Sequence, residues 1–385
     1  MKTSTVLLAA SLTLTGVASA VAIVQSGPVL AGSMGHGSRH AGPDSARVEA
    51  FFGALRATDP MICEMITDQV GNFWNSEGDE GVGSLDGGAR RWEPVRDSLA
   101  GGVTDPAAQR RVLRSLNDDD VCIRRLAAKM MGRSTPSATP ALRDALRSPT
   151  PRIREAAALA MGHADDKEFK DDLDRATRDD NPAVAAMATW ALGELELPET
   201  VGRMIELTGS REIRVRRAAV WGLGQIEEAR AVPTLIPMLR DADESIRVLT
   251  AEALGEIESA TAAQPLGQAL RDASMRVRYA AAEALGNLDD LDVAPPELID
   301  ALGSDDLYMR RKVAEALAEI GDVKSVPALG RYVSDPDLET RRAIVHALAE
   351  IENDATVPFL LRAIKDSDPE IRKRAAEALG ERKEN

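Results

Sequence analysis

Apolar positions in this chain repeat on two scales. Within a segment they follow a leading valine or isoleucine at four, seven, eight and eleven residues, the period of an amphipathic helix. The segments themselves recur about every 31 residues from Ile123 to the C-terminus. Each copy reads aspartate, a short gap, valine or isoleucine, arginine, a gap, Ala-Ala, a gap and Ala-Leu-Gly. The last copy is Asp368, Pro369, Ile371, Arg372, Ala375, Ala376, Ala378, Leu379 and Gly380. We call the residue before the arginine the anchor. The anchors are Ile123, Ile153, Val184, Val215, Ile246, Val277, Met309, Thr340 and Ile371. Nine residues after them stand Gly132, Gly162, Gly193, Gly224, Gly255, Gly286, Ala318, Ala349 and Gly380. A period of this length marks supersecondary units stacked in a row, because one unit cannot bury its apolar face alone.

Each repeat is predicted to hold two helices. The second opens at an N-cap followed by proline in Asp59-Pro60, Thr150-Pro151, Asn181-Pro182 and Asp368-Pro369. There the cap oxygen takes an orphan N–H, and proline has none to lose. The first helix is expected to open at Pro140, Pro233, Pro327 and Pro358 and to close near Ser148, Asp241, Asp335 and Asp366. On a wheel of about 100° per residue, offsets +4, +7, +8 and +11 from the anchor face the core, and +2 and +6 face away. A worn copy lies upstream, where Asp59-Pro60-Met61-Ile62 and Gly71 repeat the spacing. End repeats are expected to be atypical, having one neighbour only.

The pattern resembles HEAT repeats of the phycobilisome-lyase-like type, over residues 44–385 with an interruption at 72–104. The resemblance implies an all-α fold, a right-handed α-solenoid of stacked helix hairpins with about ten repeats and the second helices on its concave side. It also implies that the arginine after each anchor joins a ladder with turn aspartates of neighbouring repeats. That ladder is Arg124, Arg154, Arg216, Arg247, Arg278, Arg310, Arg341 and Arg372, broken by Ala185. Its role is structural, each exposed pair contributing about 0–1 kcal/mol. The family includes a bilin lyase and a di-iron hydroxylase that holds iron through His-Glu pairs. Here the histidines are His36, His40, His163 and His346; Ala164 and Ala347 follow the last two, so those dyads are absent. No nucleophile–base set, phosphate loop or zinc spacing appears, and no metal or cofactor is expected. The lyase-type reading, with a tetrapyrrole or similar apolar ligand, stays as the alternative.

Binding residues are sought where the repeat is broken without structural need. Offset +6 reads Lys129, Leu159, Trp190, Trp221, Glu252, Glu283, Glu315, His346 and Glu377. Leu159, Trp190 and Trp221 are apolar at a position predicted to face solvent. Offset +2 adds Ala186, Val248 and Tyr279, with Glu194, Glu252 and Glu256 at the rim. Exposed apolar patches edged by charge mark interaction sites, and Trp and Tyr dominate binding hot spots. The candidate groove would clamp an apolar or basic segment of another protein. The alternative is that Trp190 and Trp221 fold onto neighbouring repeats, with Gly222 making room.

The N-terminus changes the picture. Lys2, an apolar run from Val6 to Ala18 and the small-x-small site Ala18-Ser19-Ala20 predict a signal peptide over 1–20. An uncleaved anchor is the alternative, since weakly apolar sequence continues to Val24. A Gly/Ser/Pro-rich linker follows over 21–43, then the worn repeat 44–71, a Gly-rich insertion or flap 72–104 with Trp74 and Trp92, and nine repeats over 105–385. No later stretch is apolar enough to span a bilayer. The expected place is a bacterial periplasm or cell envelope, and the oligomeric state is open. The net charge of −15 argues against nucleic acid or anionic lipid as main partner. Cys63 and Cys122 are the only cysteines. Export permits a disulfide, and pairing them would staple the N-terminal cap; two buried thiols are the alternative.

Overall fold

The computed structural model describes residues 45–55, 102–164 and 166–381. The leader, linker, insertion up to residue 101, the anchor Ile62 and Cys63 lie outside them. The chain forms two compact units that part between Leu195 and Glu196.

In the first unit, α1 (Ser45–Leu55) packs on α2 (Pro106–Ser115). Three second helices follow, α3 (Val121–Gly132), α5 (Pro151–Gly162) and α7 (Pro182–Glu194), each preceded by a shorter first helix. The first helices of the later pair are α4 (Thr139–Leu146) and α6 (Lys170–Ala176). The second unit continues the alternation, with first helices α8 (Val201–Leu207), α10 (Val232–Met238), α12 (Ala263–Ala269), α14 (Pro296–Ala301), α16 (Val326–Leu329) and α18 (Val357–Ala363). Its second helices are α9 (Ile213–Ile226), α11 (Glu244–Glu256), α13 (Met275–Gly286), α15 (Leu307–Ile320), α17 (Leu338–Glu350) and α19 (Pro369–Glu381). Within each unit successive second helices pack side by side, so the hairpins stack.

The helix starts follow the caps. Asn181 accepts from the N–H groups of Ala183 and Val184, and Asp120, Asp243, Asp306, Asp337 and Asp368 cap their helices likewise. The first helices α4, α10, α16 and α18 open one residue before the predicted prolines and close early, at Leu146, Met238, Leu329 and Ala363; a 3₁₀ turn leads into α6, α8, α10, α12, α16 and α18. Several second helices close on a left-handed residue twelve after the anchor: Glu196, Glu227, Glu258 and Gly321. Only the last is glycine, the residue for which that conformation costs least.

The core is the one the wheel predicts, and wider. The anchors are buried except Ile153, which is partly exposed. Offset +5 is buried as well, in Ala128, Ala158, Thr189, Val220, Ala251, Ala282, Ala314 and Val345. A wheel describes one helix in isolation, whereas within each unit the second helices pack against one another. Ala376 holds the same offset in α19, the last described helix, and it is exposed.

Candidate interaction face

Two ladders join the repeats, where the sequence predicts one. Arg154 meets Asp179 at 2.7 Å, Arg247 meets Asp272 at 2.8 Å, Arg310 meets Asp335 at 2.6 Å and Arg341 meets Asp366 at 2.8 Å. Arg216 and Asp241 are 3.7 Å apart. These pairs are more enclosed than the expected surface pairs: in the tightest, Arg310 and Asp335 keep only 15% and 2% of their side-chain exposure. Arg124, Arg278 and Arg372 make no such bridge, yet each donates to carbonyls of its own preceding turn. Ser148 and Ser304 stand where Arg124 and Arg278 would find an aspartate. Arg154, Arg216, Arg247 and Arg341 thus tie their own turn as well as the next repeat, while Arg310 reaches the next repeat.

The second ladder starts at offset +2, two residues after the anchor, and ends on the N-cap aspartate of the next second helix. Arg217 reaches Asp243 at 3.0 Å, Arg311 reaches Asp337 at 2.7 Å and Arg342 reaches Asp368 at 3.0 Å. Tyr279 takes the same place, donating its hydroxyl to Asp306 at 2.7 Å. This corrects the candidate groove. Offset +2 faces the next repeat, so Val248 is buried at 7% exposure and Tyr279 is a rung of the ladder.

The cap carboxylates carry the electrostatic signature of both roles. The Ser245 hydroxyl and then Arg217 hold Asp243 at about 2, and Thr340 with Arg311 holds Asp337 at about 2. A carboxylate whose folded pKa lies below its unfolded value near 3.9 stabilises the fold above that value and loses the contribution as pH falls towards the folded one. Urea midpoints are therefore expected to be level from neutral pH to about 4 and to fall between about 4 and 2. Arg217→Met with Arg311→Met should flatten that slope. A slope identical in parent and variant would remove the second ladder as its cause.

What remains open on the second helices is a row at offsets −1, +6 and +10. Offset +6 is nowhere buried, as expected. In the first unit Leu159, Ala186, Trp190 and Glu194 are all half-buried. The Trp190 ring stands edge-on to His163, with centroids 5.3 Å apart and planes at 71°. A Cβ on Gly162 would come within 2.9 Å of that indole. So Trp190 covers the end of the preceding helix, as the packing alternative has it, and keeps part of its ring in solvent. Burial, then Lys129 and Arg133, push His163 down to about 4, which keeps it neutral beside the ring. In the second unit Trp221 is half-buried and Glu256 is exposed. Tyr308, at offset −1 of α15, is half exposed and was not among the sequence candidates. Its only signal in the sequence is an aromatic one residue before Met309.

The pattern that defines HEAT repeats matches residues 108–183, 173–247, 232–305 and 331–385. The chain belongs to the HEAT-repeat family. A PBS lyase HEAT-like repeat also matches, over residues 309–335. No curated protein matches. Among solved structures, this HEAT-repeat chain is similar to the Escherichia coli protein YibA, at 19% identity over 64% of this chain and 92% of that one, with a TM-score of 0.50. An engineered protein aligns at 17% identity over 94% and 98%, with a TM-score of 0.49. The CpcE–CpcF complex of phycocyanin lyase from Nostoc sp. PCC7120 aligns at 22% identity over 63% and 93%, with a TM-score of 0.38. At these identities the likeness concerns fold alone. No described helix is long and apolar enough to cross a membrane.

Proposed function

We propose that this HEAT-repeat protein is an exported interaction scaffold that acts by binding and not by catalysis. It holds a segment of another protein against the open row of its second helices. The observation that carries this is the division of labour on those helices. The anchor and offsets +4, +5, +7 and +8 are spent on the core and offsets +1 and +2 on the ladders, while the open row mixes indole, phenol and carboxylate groups that stay at least partly exposed. Export rests on Lys2, the apolar run and Ala18-Ser19-Ala20. With export goes a disulfide between Cys63 and Cys122. It is supported by Cys122 not being a free thiol, while Cys63 lies outside the described residues.

The test is affinity capture from a cell-envelope extract of the source organism. The bait is the tagged protein expressed with its own leader, beside a Trp190→Ala/Trp221→Ala variant of matched thermal stability. A protein held by the parent and lost by the variant would support the scaffold and its indoles. Capture by neither would count against it. The PBS lyase HEAT-like match motivates a second reading, a tetrapyrrole-handling protein. A visible absorption band acquired on incubation with a free bilin would favour that reading instead.

A further inference from the structure

The open row changes character along the second unit. At the start of α13 and α15, Tyr308 in the row and Met275 and Leu307 beside it, at offset −2, are 50%, 41% and 39% exposed. The Tyr308 ring meets that of Tyr279 edge-on, centroids 4.7 Å apart and planes at 77°. Tyr279 is fixed by Asp306, so the pair is a rigid aromatic step. Lys312 Nζ stands 6.0 Å from the Tyr308 centroid, over the ring. It also lies 3.5 Å from Glu283 and 3.4 Å from Glu315. This corner therefore already seats one ammonium group between an aromatic face and two carboxylates, the arrangement a cation prefers.

The cations present do not match the anions. The open faces of α11, α13 and α15 carry Glu252, Glu256, Glu283, Glu315 and Glu319 against Arg276 and Lys312. Burial, then Glu283, push the Glu252 carboxyl up. Such a surface repels phosphate. Among the described residues no group of carboxylates converges as a metal site requires. Cations held one per helix, with apolar groups between them, suit it.

We infer that the open faces of α11, α13 and α15 dock a basic, partly apolar segment of another protein. Its arginine or lysine side chains lie among Glu252, Glu283 and Glu315, and its apolar side chains cover Met275, Leu307 and Tyr308. This rests on the scaffold reading and adds the chemistry of the partner. An extended segment is expected, since it presents successive side chains to successive helices.

The test uses the full chain and a fluorescent peptide of alternating arginine and leucine, followed by anisotropy. A peptide with glutamate in place of arginine is the control. Only the arginine peptide should bind, and more weakly as salt rises. Glu252→Gln/Glu283→Gln/Glu315→Gln should weaken it about tenfold, and so should Tyr308→Ser. These groups lie on the open face, and circular dichroism checks that both variants fold. Asp144→Asn/Glu168→Gln/Asp171→Asn removes equal charge from the first unit and should leave affinity unchanged. Equal binding of both peptides overturns the proposal. So does equal loss in the two triple variants, which is attraction to an acidic chain in general. If envelope capture depends on Trp190 and Trp221 but is untouched by the Glu-to-Gln triple variant, the scaffold stands and this surface falls.

Discussion

Replacing Arg310 with methionine is expected to destabilise the second unit more than any other change in the arginine ladder, by about 3 kcal/mol. The Asp335 side chain keeps only 2% of its exposure, and its main counter-charge is Arg310 at 2.6 Å. Without the guanidinium, a carboxylate is left enclosed with the Asp337 N–H at 2.8 Å as its remaining donor. The guanidinium also lies 5.4 Å from the Tyr332 ring centroid, so the face of that ring loses its cover. One term trims the figure: Arg310 Nε is buried without an acceptor, and its removal relieves that cost. Arg278→Met is the matched control. Its guanidinium donates only to the carbonyls of Asp272 and Ala273, and the next turn offers Ser304 in place of aspartate. That variant should lose about 1 kcal/mol or less. Repeat arrays can unfold in stages. The readout is therefore hydrogen exchange across α15 and α17 together with the urea midpoint. Equal losses at Arg310 and Arg278 would show that the inter-repeat half of the ladder contributes nothing. Adding Asp335→Asn to Arg310→Met should recover part of the loss, because the stranded charge goes with it.

The repeat itself was legible because it rests on local chemistry. Anchor, caps and the +4, +7 and +8 stripe each follow from helix period and N-cap preference, and Ile246, Asp243 and Leu254 lie where those rules put them. The readings that went astray needed a neighbour. Val248 looks solvent-facing on a wheel drawn for one helix, and it is buried because the next repeat stands there. Tyr279 looked like a groove aromatic, but its hydroxyl belongs to Asp306, 27 residues on. The second ladder was visible in principle as arginine at offset +2 followed by aspartate 26 residues later, in Arg217, Arg311 and Arg342. The left-handed ends at Glu196, Glu227 and Glu258 had no signal, since nothing in a glutamate announces that conformation. The Trp190 question had two answers at once. An indole is large enough to cover Gly162 and His163 with one edge and stay partly wet at the other.

Gly255→Val is expected to cost about 1–3 kcal/mol, whereas Gly380→Val, at the same offset in the last repeat, costs nothing or stabilises slightly. A Cβ at Gly255 would stand 2.9 Å from Cα and 3.0 Å from Cβ of Ala284 in the next second helix. A Cβ on Gly224 would stand 3.0 Å from Ala253 Cα and one on Gly286 3.0 Å from Ala316 Cα, so the glycine at offset +9 permits the close approach of these second helices. The obstacle is backbone on both sides, and no rotamer change relieves it. A Cβ on Gly380 would have nothing within 4 Å among the described residues. There valine brings only its better helix propensity. The two alanines at this offset, Ala318 and Ala349, show that one methyl group can be housed in the last repeats. Valine, with two more carbons, is therefore the sharper probe than alanine. Thermal unfolding of the two variants decides the matter. If Gly255→Val and Gly380→Val shift the transition alike, close packing of the second helices is not what these glycines are kept for, and their role must be sought within their own helices.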